Sequence, residues 1–428
     1  MVLLAGHGHP PTLLVTRGPP SPPTNRGSPI AGGDYASAVH VAGWKLALSK
    51  TMMSGLHWAA RMQDRKLPDY PLPTDDPFYA AHEDLASLEP GTLLDWRPIP
   101  VTGTRIKVEA NGWQIRFRST DTAGEPISAV ATLFVPKAKW SKGQRPLVSY
   151  QCAIDSLGPN RDPSYTLRRG NQREMFLMAL ALRRGWAVVT SDFTGPRRAY
   201  GAGLIAARIS LDGIRASLAF GPGGLGPTAP VGAWGYSGGG QATAWMAEQQ
   251  PVYAPDVRLV AVAAGGVPTD RRALRRMDGG FFSGLALGAA VGIDREYPET
   301  KLEVILNEEG RRVVEEIAEM TVDELVAYFP FRSLRELTTE PDPFDTEGTR
   351  ATNEELRLGQ RLPTAAVYLY HAIHDQLVPI SGADELALIY RKGGVDVTLR
   401  RTHLGEHIVA VMASTPAALR FLSSRLTR

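Results

Sequence analysis

A chain of 428 residues is long enough for one large domain carrying an insertion, or for two domains. Hydrophobic residues make up 43% and charged residues 21%, which fits a globular protein and excludes disorder over most of the length. The formal net charge of +3 gives no argument for a nucleic-acid partner, and the single cysteine, Cys152, excludes an intrachain disulfide and a cysteine-based metal site.

Residues 1–33 are rich in Pro, Gly, Ser and Thr around Pro19-Pro20-Ser21-Pro22-Pro23, and read as a disordered leader. Residues 35–62 turn helical: Val41, Trp44, Leu48, Met52, Leu56, Ala59 and Met62 recur at helical spacing. That stripe predicts a helix packed on the main body. Its basic polar face (Lys45, Lys50, Arg61) makes a membrane-surface helix the alternative. A proline-rich connector from Leu67 to Phe78 follows, then a short helix and turn through Leu85 and Leu88 to Pro90-Gly91. Beyond Leu93 the period falls to two. Trp113 to Arg118 alternates strictly, as a half-buried strand does; Ile127 to Val135 and Leu147 to Gln151 predict two more strands.

From there strands and helices alternate: a helix over Arg169 to Arg184, a strand over Trp186 to Ser191, a helix over Gly203 to Phe220. A strand over Val231 to Trp234, a helix after Ser237 and a strand over Val257 to Ala264 come next. This order predicts an α/β fold with a mostly parallel sheet and helices on both faces. The alternation stops near Pro268 and resumes at Ala365 to Tyr370, so the first part of the core spans 34–267 and the second 363–428. Residues 268–362 then form a helical cap inserted between them. Helical runs are expected over Asn307 to Met320 and Thr321 to Phe329. Phe281 to Gly288 reads equally as a core helix or as a lid surface facing an acyl chain. Arg271-Arg272 and Arg275-Arg276 read as a solvated helix face. A last strand, Val395 to Arg400, and a helix, Ile408 to Leu426, close the sheet domain. No segment reaches the roughly 20 apolar residues needed to span a bilayer; Phe281 to Ile293 is too short.

Gly235-Tyr236-Ser237-Gly238-Gly239 is a G-x-S-x-G pentapeptide placed between a predicted strand and a predicted helix. A serine on so tight a strand-to-helix turn needs small neighbours, and the amide after it points to where an oxyanion forms. Ser237 is therefore the expected nucleophile and Gly238 an expected oxyanion donor. A serine hydroxyl also needs a base, and the base an orienting carboxylate. Asp375 follows the strand ending at Tyr370, and His407 follows the last strand, which reproduces the Ser, Asp, His order of an α/β-hydrolase. His403 is the rival base, disfavoured by position. Asp384 and Glu385 fall in a helical pattern where a solvated carboxylate is the default. His371 and His374 read as packing or cap contacts, and Glu406 as an exposed residue that can anchor the loop.

Together the elbow, Ser191-Asp192-Phe193-Thr194-Gly195, Leu211-Asp212-Gly213-Ile214-Arg215-Ala216, His371 to Asp375 with Val378-Pro379, and Glu406-His407 resemble the secretory lipase family over residues 75–425. Gly279 to Ala286 resembles the entry to the family's cap. The resemblance implies an α/β-hydrolase fold with Ser237, Asp375 and His407 as a catalytic triad, and Gly238 and Asp192 as the oxyanion donors. The generic hydrolase rule places the second donor instead in the loop Cys152-Ala153-Ile154-Asp155, with Ala153 as the rival. A capping carboxylate is the bland alternative for Asp192.

The expected activity is a serine carboxylic-ester hydrolase, a lipase acting on triacylglycerol-like acyl esters through an acyl-enzyme, with no metal and no cofactor. The expected partners are a lipid or small acyl-ester substrate and peripheral contact with a lipid interface, without nucleic acid. Alternatives are an acyltransferase with the same triad or a non-catalytic binding protein of hydrolase fold; a peptidase is disfavoured for want of a repeat domain. The family resemblance implies a secreted or cell-envelope protein. Val2-Leu3-Leu4-Ala5 is too brief for a signal-peptide core and follows no basic residue, which makes a cytoplasmic protein the other expectation.

Overall fold

Side-chain alternation builds a twisted sheet in the computed structural model, which describes residues 68–427 except Arg105; the expected leader and the helix over 35–62 lie outside these residues. The first three strands, β1 (Leu93–Ile99), β2 (Ala110–Thr120) and β3 (Pro126–Pro136), form an antiparallel meander. Then β4 (Leu147–Gln151), β5 (Ala187–Ser191), β6 (Val231–Tyr236), β7 (Leu259–Gly265), β8 (Ala366–Ala372) and β9 (Val397–Thr402) complete the sheet. The spatial order of the nine strands is β1-β2-β3-β5-β4-β6-β7-β8-β9, parallel from β5 to β9 and antiparallel elsewhere.

Crossover helices cover both faces: α1 (Pro163–Arg169), α2 (Met175–Leu182), α3 (Gly203–Phe220), α4 (Gly238–Tyr253), α11 (Ile380–Lys392) and α12 (His407–Leu426). Strand alternation decides which face each side chain serves. Ala233, Val262, Val367 and Leu369 pack with Ile209, Ile214 and Met246 of α3 and α4. Their neighbours Trp234, Ala261, Tyr368 and Tyr370 pack on the other face with Met178, Leu419 and Leu422 of α2 and α12. Two differences from the expected elements have local causes. The helix expected over 169–184 is two, because Gly170 takes a left-handed φ of 78° and closes α1. The strand β1 was legible only as a change of period, since Ile99 is its single buried residue and little apolar alternation results.

Between β7 and β8 the chain forms helices without adding a strand to the sheet: α5 (Arg272–Met277), α6 (Ser283–Glu296), α7 (Leu302–Ile305), α8 (Glu308–Ile317), α9 (Val322–Tyr328) and α10 (Glu347–Glu355). Their ends are well marked. Asn307 caps α8 through Gly310 N–H, and Thr321 with Glu324 forms a capping box on α9. They share an apolar cluster, including Leu285, Val313, Ile317, Leu325 and Phe329, that also takes in Leu377 and Val378 after β8. No helix among the described residues is long and apolar enough to cross a membrane.

Candidate active site

Ser237 stands where β6 turns directly into α4, at φ 56° and ψ −123°, a conformation otherwise left to glycine. Its amide still donates to Gly265 O at 2.9 Å, so the sheet ladder runs up to the serine before the chain doubles back. The flanking glycines are required by contact. A Cβ at Gly235 would lie 2.3 Å from Gly239 O, and one at Gly239 would lie 2.0 Å from Gln151 O. Such a backbone stores about 1–3 kcal/mol. Ser237→Gly is therefore expected to gain about 1 kcal/mol after the unfolded-state entropy of glycine is subtracted. Chemical denaturation checks this; an unchanged or lowered midpoint would contradict the strain.

His407 is the first residue of α12, and three contacts fix it there. Glu406 caps the helix, accepting from Ile408 N–H at 2.8 Å. The His407 amide donates to Gln376 Oε1 at 3.1 Å, and the Tyr236 hydroxyl donates to His407 O at 2.7 Å. Gln376 also donates to Glu406 at 3.0 Å, tying the loop after β8 to the loop after β9. The ring then spans two partners: Nε2 lies 2.8 Å from Ser237 Oγ, and Nδ1 lies 2.6 Å from Asp375 Oδ2. Asp375 is held from its other oxygen, where Oδ1 accepts the amides of Leu377 at 2.9 Å and Val378 at 2.7 Å. Burial opposes its charge, but bonds from His371 and His407 and the Val378 amide win and hold the carboxyl well below its ordinary range.

The rival residues go elsewhere. His403 is exposed. Its ring centroid lies 6.2 Å from that of His374. Asp384 pairs with Arg401, and Glu385 with Arg272. His371 is fully buried, with Nε2 3.1 Å from Val378 O and 3.3 Å from Asp375 Oδ2, so it supports the acid from behind. Gln376 and Tyr236 were not singled out from the sequence. Their only signal was adjacency to Asp375 and Ser237.

Asp192 does not join this group, contrary to the expectation drawn from resemblance. Its amide donates to Val130 O at 2.9 Å. Its carboxylate accepts from Ser164 N–H at 2.8 Å, as a capping side chain does. It lines a separate cavity of 530 Å³ with Tyr79, Asp162 and Arg198. Burial, then the Asp162 carboxylate, hold its carboxyl well above the ordinary range. The physical reason is strand order. It is β4 that lies directly beside β6, while β5 is one strand further out, so the loop after β4 reaches the elbow.

In that loop Ala153 is unavailable, since its amide donates to Glu174 Oε1 at 2.8 Å. Asp155 is the residue that meets the elbow. It has a φ of 42°, and its Oδ1 would lie 2.1 Å from a Cβ at Gly238. The amides of Asp155 and Gly238 find no acceptor among the described residues. Desolvation pushes the Asp155 carboxyl up to about 6 against the pull of His407. Glu174, which pins the loop, is likewise pushed up to about 7 by burial.

A narrow cavity opens from Ser237, Gly238 and Asp155 toward the inserted helices, where Leu285, Ala289 and Ile293 of α6 form one wall. Within Phe281 to Gly288, Leu285 lines the cavity, while Ala286 and Leu287 fill the insertion's core. The arginine run is not uniformly solvated. Arg272 pairs with Asp270 and Arg275 with Asp342, but Arg271 lines the cavity. Among the described residues no group of three or more His, Cys, Asp or Glu could hold a metal ion.

Comparison with known proteins places this arrangement. The chain is 36% identical over 377 residues to a "probable inactive lipase" of Mycobacterium tuberculosis, covering 83% of this chain and 82% of that one. It is 31% identical over 396 residues to Lipase A of Arthroderma benhamiae, covering 85% and 81%. Its fold is similar to the crystal structure of Candida antarctica lipase A, with a TM-score of 0.78, 26% identity, and coverage of 83% and 86%. With residues 163–428 matching the secretory lipase profile, the chain belongs to the secretory lipase family, as a carboxylic-ester hydrolase of the α/β-hydrolase fold.

Proposed function

We propose that the protein cleaves acyl esters of lipids through an acyl-enzyme on Ser237. The observation that carries this reading is the unbroken hydrogen-bonded path from Ser237 Oγ through His407 to Asp375 at a strained elbow. His407 Nε2 takes the serine proton as Oγ attacks the ester carbonyl, and Asp375 keeps the ring in the tautomer whose Nε2 is free to accept it. The carbonyl oxygen becomes an oxyanion facing the amides of Gly238 and Asp155, each contributing about 3–4 kcal/mol in comparable sites. The imidazolium then gives its proton to the leaving alcohol. Water enters, loses a proton to the same nitrogen and releases the acid. Each step uses groups of this chain and water alone.

Residues 268–362 act in this reading as a cap over the acyl site. Exposed apolar residues support contact with a lipid surface: Leu404, Ile408 and Met412 beside His407, and Phe281 with Phe331 on the insertion. The relative named a probable inactive lipase does not weaken the case, because nucleophile, base and acid are all in bonding distance here.

A series of 4-nitrophenyl esters of increasing acyl length, run with and without a competing alcohol, tests the assignment. Free acid is expected as the dominant product, with an optimum at a chain the cavity admits. Dominant transfer to the alcohol would make the protein an acyltransferase, and no turnover of any ester would remove the reading.

A further inference from the structure

Arg271 is an unusual residue to find in an apolar acyl site. It follows β7 immediately before α5 and lines the cavity that holds Ser237. It also lines a second, apolar cavity inside the insertion, bounded by Leu274, Leu287, Ile305, Leu337 and Phe344. Arg271 thus lines both cavities. One nitrogen, Nη1, donates to Asn353 Oδ1 on α10. The buried Nε has no partner, and no carboxylate among the described residues pairs with Arg271.

A guanidinium with five donors and one neutral acceptor is poorly compensated. Arg271 is half-buried, and taking such a group even partly out of water without a counterion is unfavourable. The carboxylates lining the same cavity do not supply one. Asp270 is held by Arg272, with Oδ2 2.6 Å from Nη2 and Oδ1 2.8 Å from the backbone amide. Asp155 lies over Gly238 at the elbow. Burial and the neighbouring Arg275 lower the Arg271 pKa to about 10, so it remains a cation at neutral pH.

The direction of the cavity decides which half of the substrate meets this charge. The leaving alcohol must meet His407 Nε2, 2.8 Å from Ser237 Oγ, to take its proton. The cavity instead begins at Ser237 and the two free amides, where the acyl carbon and its oxygen sit. It therefore receives the acyl chain.

We propose that Arg271 is a specificity residue that binds a carboxylate on the acyl chain, so that the preferred substrates are esters of dicarboxylic or otherwise acid-tailed acyl groups. This rests on Ser237 being the nucleophile. A planar guanidinium suits a carboxylate because two parallel N–H bonds can form, and the incoming anion neutralises a charge that no carboxylate among the described residues neutralises. A neutral chain would have to pass the same guanidinium without relieving it.

The test compares 4-nitrophenyl hydrogen adipate with 4-nitrophenyl hexanoate, equal in carbon count and different only in the terminal carboxylate. For the wild type, kcat/KM is expected to favour the adipate by about tenfold or more, carried mainly by KM. Arg271→Gln should erase that ratio, and Arg271→Lys should restore part of it. In the Ser237→Ala background, where the ester is not turned over, binding of methyl hydrogen adipate should raise the Tm, and adding Arg271→Gln should abolish that rise, which reads the anion site without any chemistry. Hydrolysis of both esters at equal rates by the wild type, or an unchanged ratio in Arg271→Gln, overturns the proposal while leaving the hydrolase assignment intact. If neither ester is cleaved, the hydrolase assignment fails, and the Tm shift alone then decides for or against the anion site.

Discussion

Replacing Ser237 with alanine is expected to lower kcat for a 4-nitrophenyl ester by about 10⁵–10⁶-fold with KM within a fewfold of the wild type. The geometry sets both halves of that expectation. Ser237 Oγ is the atom from which His407 Nε2, at 2.8 Å, is placed to take a proton, and among the described residues no other hydroxyl is bonded to that nitrogen. In the proposed mechanism no acyl-enzyme can then form, and the remaining rate is expected from water attacking a carbonyl that faces the Gly238 and Asp155 amides. Alanine meets the same positive φ as serine, so the elbow keeps its shape and its strain. Measured kcat and KM, with an unchanged melting curve, check the outcome. A loss smaller than about tenfold would place the nucleophile elsewhere.

Asp375→Asn is expected to cost about 10⁴-fold in kcat. The carboxylate has two tasks that asparagine cannot perform together. Oδ1 accepts two amides, from Leu377 and Val378, while Oδ2 faces His407 Nδ1 at 2.6 Å. If the amide nitrogen takes the first position, it meets two N–H donors. If it takes the second, it donates to Nδ1 and drives the ring proton to Nε2. The imidazole then presents a donor to Ser237 and can no longer accept its proton. A structure of the variant with single-turnover rates separates a wrong tautomer from a displaced ring. Activity within about tenfold of the wild type would show that Asp375 does not orient the base.

Ser237, Asp375 and His407 were legible because each stands just beyond a strand whose apolar pattern is strong, and a strand end fixes a side chain's position closely. The same logic failed for the second oxyanion donor. Asp192 and Asp155 both follow buried strands, and nothing local in the chain tells which strand adjoins the elbow. That depends on a crossover: the later strand β5 is inserted between β3 and β4, and β4 is left beside β6. The closeness of Asp155 to the elbow shows only in three dimensions, in its positive φ and its contact with Gly238. Arg271 was hidden by composition. In a run of four arginines the default is a solvated face, and Arg272 and Arg275 obey it with surface ion pairs. Arg271 precedes the helix, so helical phase said nothing about where its side chain would go.

The central claim is that Ser237 is an activated nucleophile, and labelling by a fluorophosphonate tests it most directly. The probe needs no knowledge of the substrate and reacts only with a serine whose proton can be taken. Incubated with the intact protein and digested, it should leave its phosphonyl mass on the peptide containing Ser237, with labelling lost in Ser237→Ala and strongly slowed in Asp375→Asn. An unlabelled Ser237 in folded protein, or label on another serine that survives Ser237→Ala, would contradict the account.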